Sequence, residues 1–209
     1  MKQLSRHLAL EAWVLRPYAR QFVLIPVFGL VFGLIQNSVI PVMTVMAAVT
    51  GSYGFNIVET SRLETLLASL PGSRRLVVAA RYLLTGLVVV ASGLAGFGID
   101  AAWSAAREQP WSATGSVAVL LISLAVAAVL VAVQFPFFFR LGYSRARPVT
   151  LISGCVVVGL VVLSSLGASA LTIPDASVVA AAWIGVAAAA AGLAASVVVS
   201  TRIYTRKDL

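Results

Sequence analysis

The sequence predicts an all-α polytopic membrane protein of six transmembrane helices, and three observations predict it. Of 209 residues, 60% are apolar and 11% charged, with mean hydropathy +1.01; soluble domains run nearer 45–50% apolar and about 25% charged. The apolar residues fall into six stretches, each close to the roughly 20 residues that a helix needs to cross hydrocarbon. The 15 Lys and Arg outnumber the 7 Asp and Glu, giving a formal charge of +8, and nearly all fall in alternate connections. One transmembrane domain accounts for residues 1–209.

Residues 1–20 mix charge with Leu4, Leu8, Trp13, Val14 and Leu15, as an amphipathic elbow helix lying in the interface does. Trp13 and Tyr18 then sit at headgroup depth. The stretch has neither the apolar core nor the small-residue cleavage site of a signal peptide. The first span is residues 21–35, closed by the polar turn Gln36-Asn37-Ser38. The second is 39–57, with Pro41 near its start, where a missing N–H costs least. Polar, charged residues from Val58 to Arg75 precede the third span, 76–99, and Asp100 to Thr114 reads as a loop carrying Trp103 and Trp111. The fourth span is 115–137. A basic loop from Phe138 to Pro148 leads to the fifth, 149–170, and a turn at Thr172 to Asp175 leads to the sixth, 178–199. The tail from Ser200 is polar and basic.

An even number of spans puts both termini on one side. Lys2, Arg6, Arg16, Arg20, Arg62, Arg74, Arg75, Arg81, Arg140, Arg145, Arg147, Arg202, Arg206 and Lys207 then share that side, and Arg107 falls opposite. This segregation predicts a multi-pass protein of the cell membrane with cytoplasmic termini. In so apolar a chain the basic excess marks those cytoplasmic faces, not a nucleic-acid surface.

Scarce residues exclude most chemistry. Cys155 is the single cysteine and His7 the single histidine, so neither a thiolate zinc site nor a Ser-His-Asp triad within the membrane is expected. No two acidic residues are adjacent, and no Gly-rich loop precedes Lys2 or Lys207, so the chain carries no phosphate-cradling loop for ATP. No catalytic, cofactor-binding or metal-binding set is assigned.

The most informative stretch is Glu59 to Tyr82. Ser61 and Glu64 have the spacing of a capping box, which starts a helix. Leu63, Leu66, Leu67 and Leu70 recur at i, i+3, i+4 and i+7, one apolar stripe, and Pro71-Gly72 ends it. The expected helix, residues 60–70, is too short to cross a bilayer. Two uses remain open on physical grounds: floating in the interface, or docking into a groove on a cytoplasmic partner.

The order Glu59, Glu64, Leu66, Leu67, Ser69, Leu70, Pro71, Ser73, Arg74, continued by Val78, Arg81 and Tyr82, resembles the first cytoplasmic loop of ABC-2 type transporter permeases. Phe135 to Pro148, with Pro136, Arg140, Gly142, Arg145 and Arg147, is similar to the family's second cytoplasmic loop, and Ser200, Tyr204, Lys207 and Asp208 are similar to its ending. The resemblance implies a permease without its own ATPase, served by a separate nucleotide-binding subunit that binds ATP and Mg. A second permease copy, identical or not, would complete the pathway among membrane lipids. By the same resemblance Glu59, Ser61, Arg62, Leu63, Glu64, Leu66, Leu67, Leu70, Arg74 and Arg75 form the ATPase-coupling site, with Leu63, Leu66, Leu67 and Leu70 seated on the ATPase or on the permease's own cytoplasmic end and Glu59, Arg62, Glu64, Arg74 and Arg75 setting the register by charge. Arg140, Tyr143, Arg145 and Arg147 belong to the second loop, where the arginines meet the ATPase or anionic lipid. The cargo implied is an amphipathic or hydrophobic substrate, a peptide first. A non-transporting immunity or sensor subunit is the alternative within the same kind of complex. A self-contained secondary transporter needs an intramembrane titratable group, and no acidic residue lies deep in any span.

Single residues carry further expectations. Arg81, one turn inside the third span, snorkels to the interface or pairs with Glu11. Asp100 faces water, and Gln134 lines a polar path or bonds another helix. Phe135, Phe137, Phe138 and Phe139 form an interfacial aromatic belt. Gly93, Gly96 and Gly154 allow close helix approach.

Overall fold

The computed structural model describes residues 27, 31, 38–61, 74–108, 111–168 and 175–206. The elbow helix, nearly all of the first span, and residues 62–73 lie outside the described residues. Among the described residues six helices follow one another: α1 (Ile40–Gly51), α2 (Tyr53–Thr60), α3 (Arg74–Ala106), α4 (Ala113–Leu141), α5 (Tyr143–Ala168) and α6 (Asp175–Thr205). Among the described residues there is no strand. Four stretches of the described residues are long and apolar enough to cross a membrane: Ile40–Thr60, Arg75–Ala106, Ala113–Leu141 and Ser177–Thr205. The α5 helix occupies the place of the expected fifth span.

The helices outrun the expected spans, and each extension has a cause. The second span continues past residue 57 to Thr60, because Phe55, Ile57 and Val58 are buried on one side of α2. It tightens to a 3₁₀-like turn at Ser52, whose amide and Oγ both donate to the Val49 carbonyl, at 3.0 and 2.6 Å, while its backbone stays right-handed helical. The segment expected as a loop from Asp100 is helical through Ala106, since Asp100 is held by another helix and good helix formers follow it. The basic loop expected over residues 138–148 shrinks to Gly142: α4 runs through Pro136 to Leu141, and α5 starts at Tyr143 and contains Pro148. The polar tail is helical to Thr205.

Pro136 removes the amide that would bond the Ala132 carbonyl one turn earlier. Ser196 of α6 donates its hydroxyl to that carbonyl at 2.7 Å, as membrane helices require of a freed backbone group. Its one proton is thereby used, so Tyr82 of α3 donates to Ser196 Oγ (2.7 Å) and accepts from Ser200 (2.9 Å). Three helices are tied at one buried point. Gln134 bonds Ser153 Oγ at 2.6 Å, tying α4 to α5; of its two expected roles, the helix-to-helix bond is the one present.

Opposite the arginines, α1 and α3 approach closely. A Cβ on Gly96 would lie 3.1 Å from the Ile40 Cα, and one on Gly93 would lie 3.3 Å from the Thr44 hydroxyl of α1 and 2.9 Å from Leu120 of α4. Gly154 meets nothing within 4 Å. Asp100 does not merely face water: it accepts from the Ser38 hydroxyl and the Val39 amide, each at 2.8 Å, at the start of α1. A carboxylate at the positive end of a helix is stabilising there.

Candidate functional site at the arginine-rich end

Where α2, α3, α4, α5 and α6 meet, aromatic side chains pack on one another. Phe55 lies at ring-centroid distances of 5.0 Å from Phe135, 5.1 Å from Phe138 and 4.9 Å from Phe139. Tyr82 lies 4.8 Å from Phe135, and Tyr204 5.5 Å from Phe139. Edge-on pairs at such spacing contribute beyond the area they bury. Phe135, Phe138 and Phe139 are therefore core, whereas Phe137 is 42% exposed and alone fits the expected belt. Four phenylalanines in five positions cannot share one face of a helix; three point inward because the i, i+3, i+4 positions 135, 138 and 139 do share one.

Arg81 belongs to this socket. It is 6% exposed, with its guanidinium 4.3 Å from the Phe55 ring centre, so it stacks inward and does not snorkel. The other expected partner, Glu11, lies outside the described residues.

Next to the socket, Glu59 on the last turn of α2 meets the first turn of α5. Its Oε2 accepts the amides of Tyr143 (2.5 Å) and Ser144 (3.1 Å), and its Oε1 accepts the Ser144 hydroxyl. The helix start has no side chain of its own at the capping position, because that position is Gly142. This glycine has φ +80°, and a Cβ there would lie 3.1 Å from Glu59 Oε2. Left-handed backbone and a close carboxylate both select glycine.

The remaining site residues spread outward from this joint. Ser61 closes α2, its amide donating to the Ile57 carbonyl at 2.9 Å, and it is exposed. Arg62, Leu63, Glu64, Leu66, Leu67 and Leu70 lie outside the described residues. Arg74 begins α3 and Arg75 is exposed. Arg140, Arg145 and Arg147 are exposed around the α4–α5 junction, and Tyr143 is half-buried there, with Arg147 5.7 Å from its ring and Phe138 at 5.7 Å. The structure thus brings Glu59 and Tyr143, assigned to two different loops, into one contact. A surface of this kind offers cations and stacked rings; among the described residues no group of three or more His, Cys, Asp and Glu has metal-holding geometry. Toward the membrane interior, α3, α4 and α6 line an apolar cleft of about 240 Å³ that includes Tyr82, Gly86, Leu124, Ala128 and Leu193.

A family profile described as ABC-2 family transporter protein matches residues 12–205, which takes in every helix above. The chain belongs to the ABC-2 transporter family. Neither the curated proteins nor the solved structures give a match. An ABC-2 chain is the membrane permease of an ABC transporter, not its ATPase, and such permeases typically work with an ATPase subunit. The apolar helices agree with a multi-pass membrane protein.

The sequence patterns single out neither Phe55 nor Ser144, and they mark Gly142 only as part of the second loop, not as a helix start capped by Glu59. A signal exists for two of them. Phe55 and Glu59 are one turn apart, and a lone glycine between two helix-forming runs marks a break that needs a cap from elsewhere.

Proposed function

We propose that this permease exports an amphipathic or hydrophobic substrate, a peptide first, using ATP and Mg bound by a separate subunit. The observation that carries the reading is the family match across residues 12–205. The proposed membrane plan has six spans, with both termini in the cytoplasm and two permease copies around the pathway. Positive residues at one end of the described helices support it: Arg75, Arg140, Arg145, Arg147, Arg202 and Arg206 cluster there, and Arg107 lies at the other end beside Trp103. Residues 60–70 dock on the ATPase through Leu63, Leu66, Leu67 and Leu70, with Arg62, Glu64, Arg74 and Arg75 fixing register by charge. The apolar lining of the cleft supports a cargo with a hydrophobic face.

Motor closure moves cargo only where the docked segment has different contact energies in the two states. The test is co-purification with the ATPase subunit, comparing wild type with Leu67→Arg. The variant is expected to lose both co-purification and stimulation of ATP hydrolysis; retention of both overturns the docking role. ATP-dependent movement of a labelled amphipathic peptide in reconstituted vesicles tests export itself, and its absence in an active complex favours an immunity or sensor subunit.

A further inference from the structure

We infer that Glu59 is the joint through which α2 moves α5, a positioning residue that carries displacement of the coupling segment into the membrane domain. The inference rests on the coupling role proposed above for residues 60–70.

The α2 helix has the construction of a short lever. It is eight residues long, joined to α1 through the tight turn at Ser52, and its last residue Thr60 and C-cap Ser61 are the first residues of the proposed coupling segment. The upstream end is pinned: a Cβ on Gly51 would lie 2.4 Å from the Thr85 side chain, so α1 and α3 are in direct contact there. The downstream end is tied to α5 by three hydrogen bonds from one carboxylate. Both oxygens are engaged, and the negative charge meets the positive pole of the α5 dipole. These bonds resist both separation and sliding. Phe55, one turn before Glu59, packs on Phe135, Phe138 and Phe139 in the socket, an apolar contact that carries no hydrogen bond, whereas the carboxylate bonds to α5 are directional. The α5 start depends on this contact, since Gly142 supplies no cap. Displacement at Ser61 must therefore carry the first turn of α5 with it or break the cap.

Cys155, the single cysteine of the chain, is exposed on α5, twelve residues beyond Tyr143 and about 18 Å along the axis. Exposed Thr114 at the opposite end of α4 gives a reference point. Paired spin labels in the full complex, co-purified with its ATPase in nanodiscs, read two distances with and without a slowly hydrolysed ATP analogue and Mg. One pair joins Thr114→Cys to Cys155. The other joins Thr114→Cys to Ser61→Cys in a Cys155→Ser background. In wild type both distances shift on nucleotide binding. In Glu59→Ala the Ser61 shift is kept and the Cys155 shift falls by more than half; Glu59→Gln, which keeps an acceptor oxygen in place, restores it. A Cys155 shift of wild-type size in Glu59→Ala overturns the joint while leaving the coupling reading intact. A wild-type Ser61 distance that nucleotide leaves unmoved overturns the coupling reading and the joint together. Ser144→Ala removes one bond from the opposite side and is expected to give an intermediate loss, so the joint stays refutable where Glu59→Ala does not assemble.

Discussion

Asp100 and Glu59 make the same kind of bond at opposite ends of the helical domain. Each is a carboxylate on one helix that accepts a backbone amide and a serine hydroxyl at the start of another: Asp100 at α1 through Val39 and Ser38, Glu59 at α5 through Tyr143, Ser144 and the Ser144 hydroxyl. The surroundings differ. Asp100 closes a pair of helices already fixed by glycine contact at Gly96, so its cap adds rigidity to a place that has nowhere to move. Glu59 lies at the tip of an eight-residue helix beyond the tight turn at Ser52, where α5 has, among the described residues, no glycine contact of the Gly96 kind, so its cap is the polar connection between α2 and the start of α5. The same electrostatic joint fastens in one setting and transmits in the other.

The contrast breaks first if the arginine end is not a packed core. Phe135 is fully buried, and Phe135→Ala is expected to cost about 3–5 kcal/mol through lost contacts and a cavity. Phe137→Ala, two positions away and exposed, is expected to change little. Thermal unfolding in nanodiscs reads both, and equal effects would return the phenylalanines to an interfacial belt. Next in size is Gly96→Val. Its Cβ meets the Ile40 backbone, which cannot yield as a side-chain tip does, so a loss of about 1–3 kcal/mol is expected. Gly98→Ala, with nothing within 4 Å, is the control and should stabilise by a few tenths to about 1 kcal/mol.

Much of this plan is legible in the sequence, and the failures have physical causes. The apolar runs place α3, α4 and α6 because composition alone identifies long lipid-spanning helices. They miss helix ends, since charged residues continue a helix as readily as they end one: Asp100 and Arg140 sit in helical turns. The aromatic run at 135–139 reads as a belt because hydropathy counts residue types and ignores which face they take. The capping-box spacing at Ser61 and Glu64 points to a helix start; Ser61 closes α2, and the helix expected after it lies outside the described residues, so the same residue marks a boundary seen here from its other side. Glu59 looks like a surface charge because its partner is eighty-four residues away in sequence. No local pattern encodes a long-range cap, although the side-chain-free Gly142 at a helix start shows that one is required.

The polar tie beneath the socket is expected to matter less than the packing. Ser196→Ala leaves the Ala132 carbonyl without the hydroxyl that replaces the amide missing at Pro136, and leaves Tyr82 without its acceptor. A cost of about 1–2 kcal/mol is expected. Ser123→Ala, whose hydroxyl bonds only one turn back on its own helix at Val119, is expected to cost far less, because that carbonyl keeps its helical amide. Equal losses would mean that Pro136 leaves nothing to be repaired.

The smallest effects sharpen the two-carboxylate comparison most. Asp100→Asn and Glu59→Gln each keep the shape and an acceptor oxygen and lose the charge facing a helix start. Each is expected to cost about 0.3–1 kcal/mol, less at high salt, because what is removed is the charge–dipole term. Truncation to alanine then separates the pair. Asp100→Ala should lower unfolding temperature while the folded complex keeps its ATP hydrolysis per cargo moved. Glu59→Ala should lower stability by a similar amount and raise the ATP spent per cargo moved, since the motor then turns a lever that has lost its grip on α5. The two alanine variants differ in where the freed helix start sits: α1 remains pressed on α3 at Gly96 through backbone contact, whereas the first turn of α5 follows a glycine and keeps only side-chain packing, Tyr143 on Phe138 and buried Ala146. Equal coupling in both alanine variants would make Glu59 a fastener like Asp100, and the difference between the two ends would then be one of packing alone.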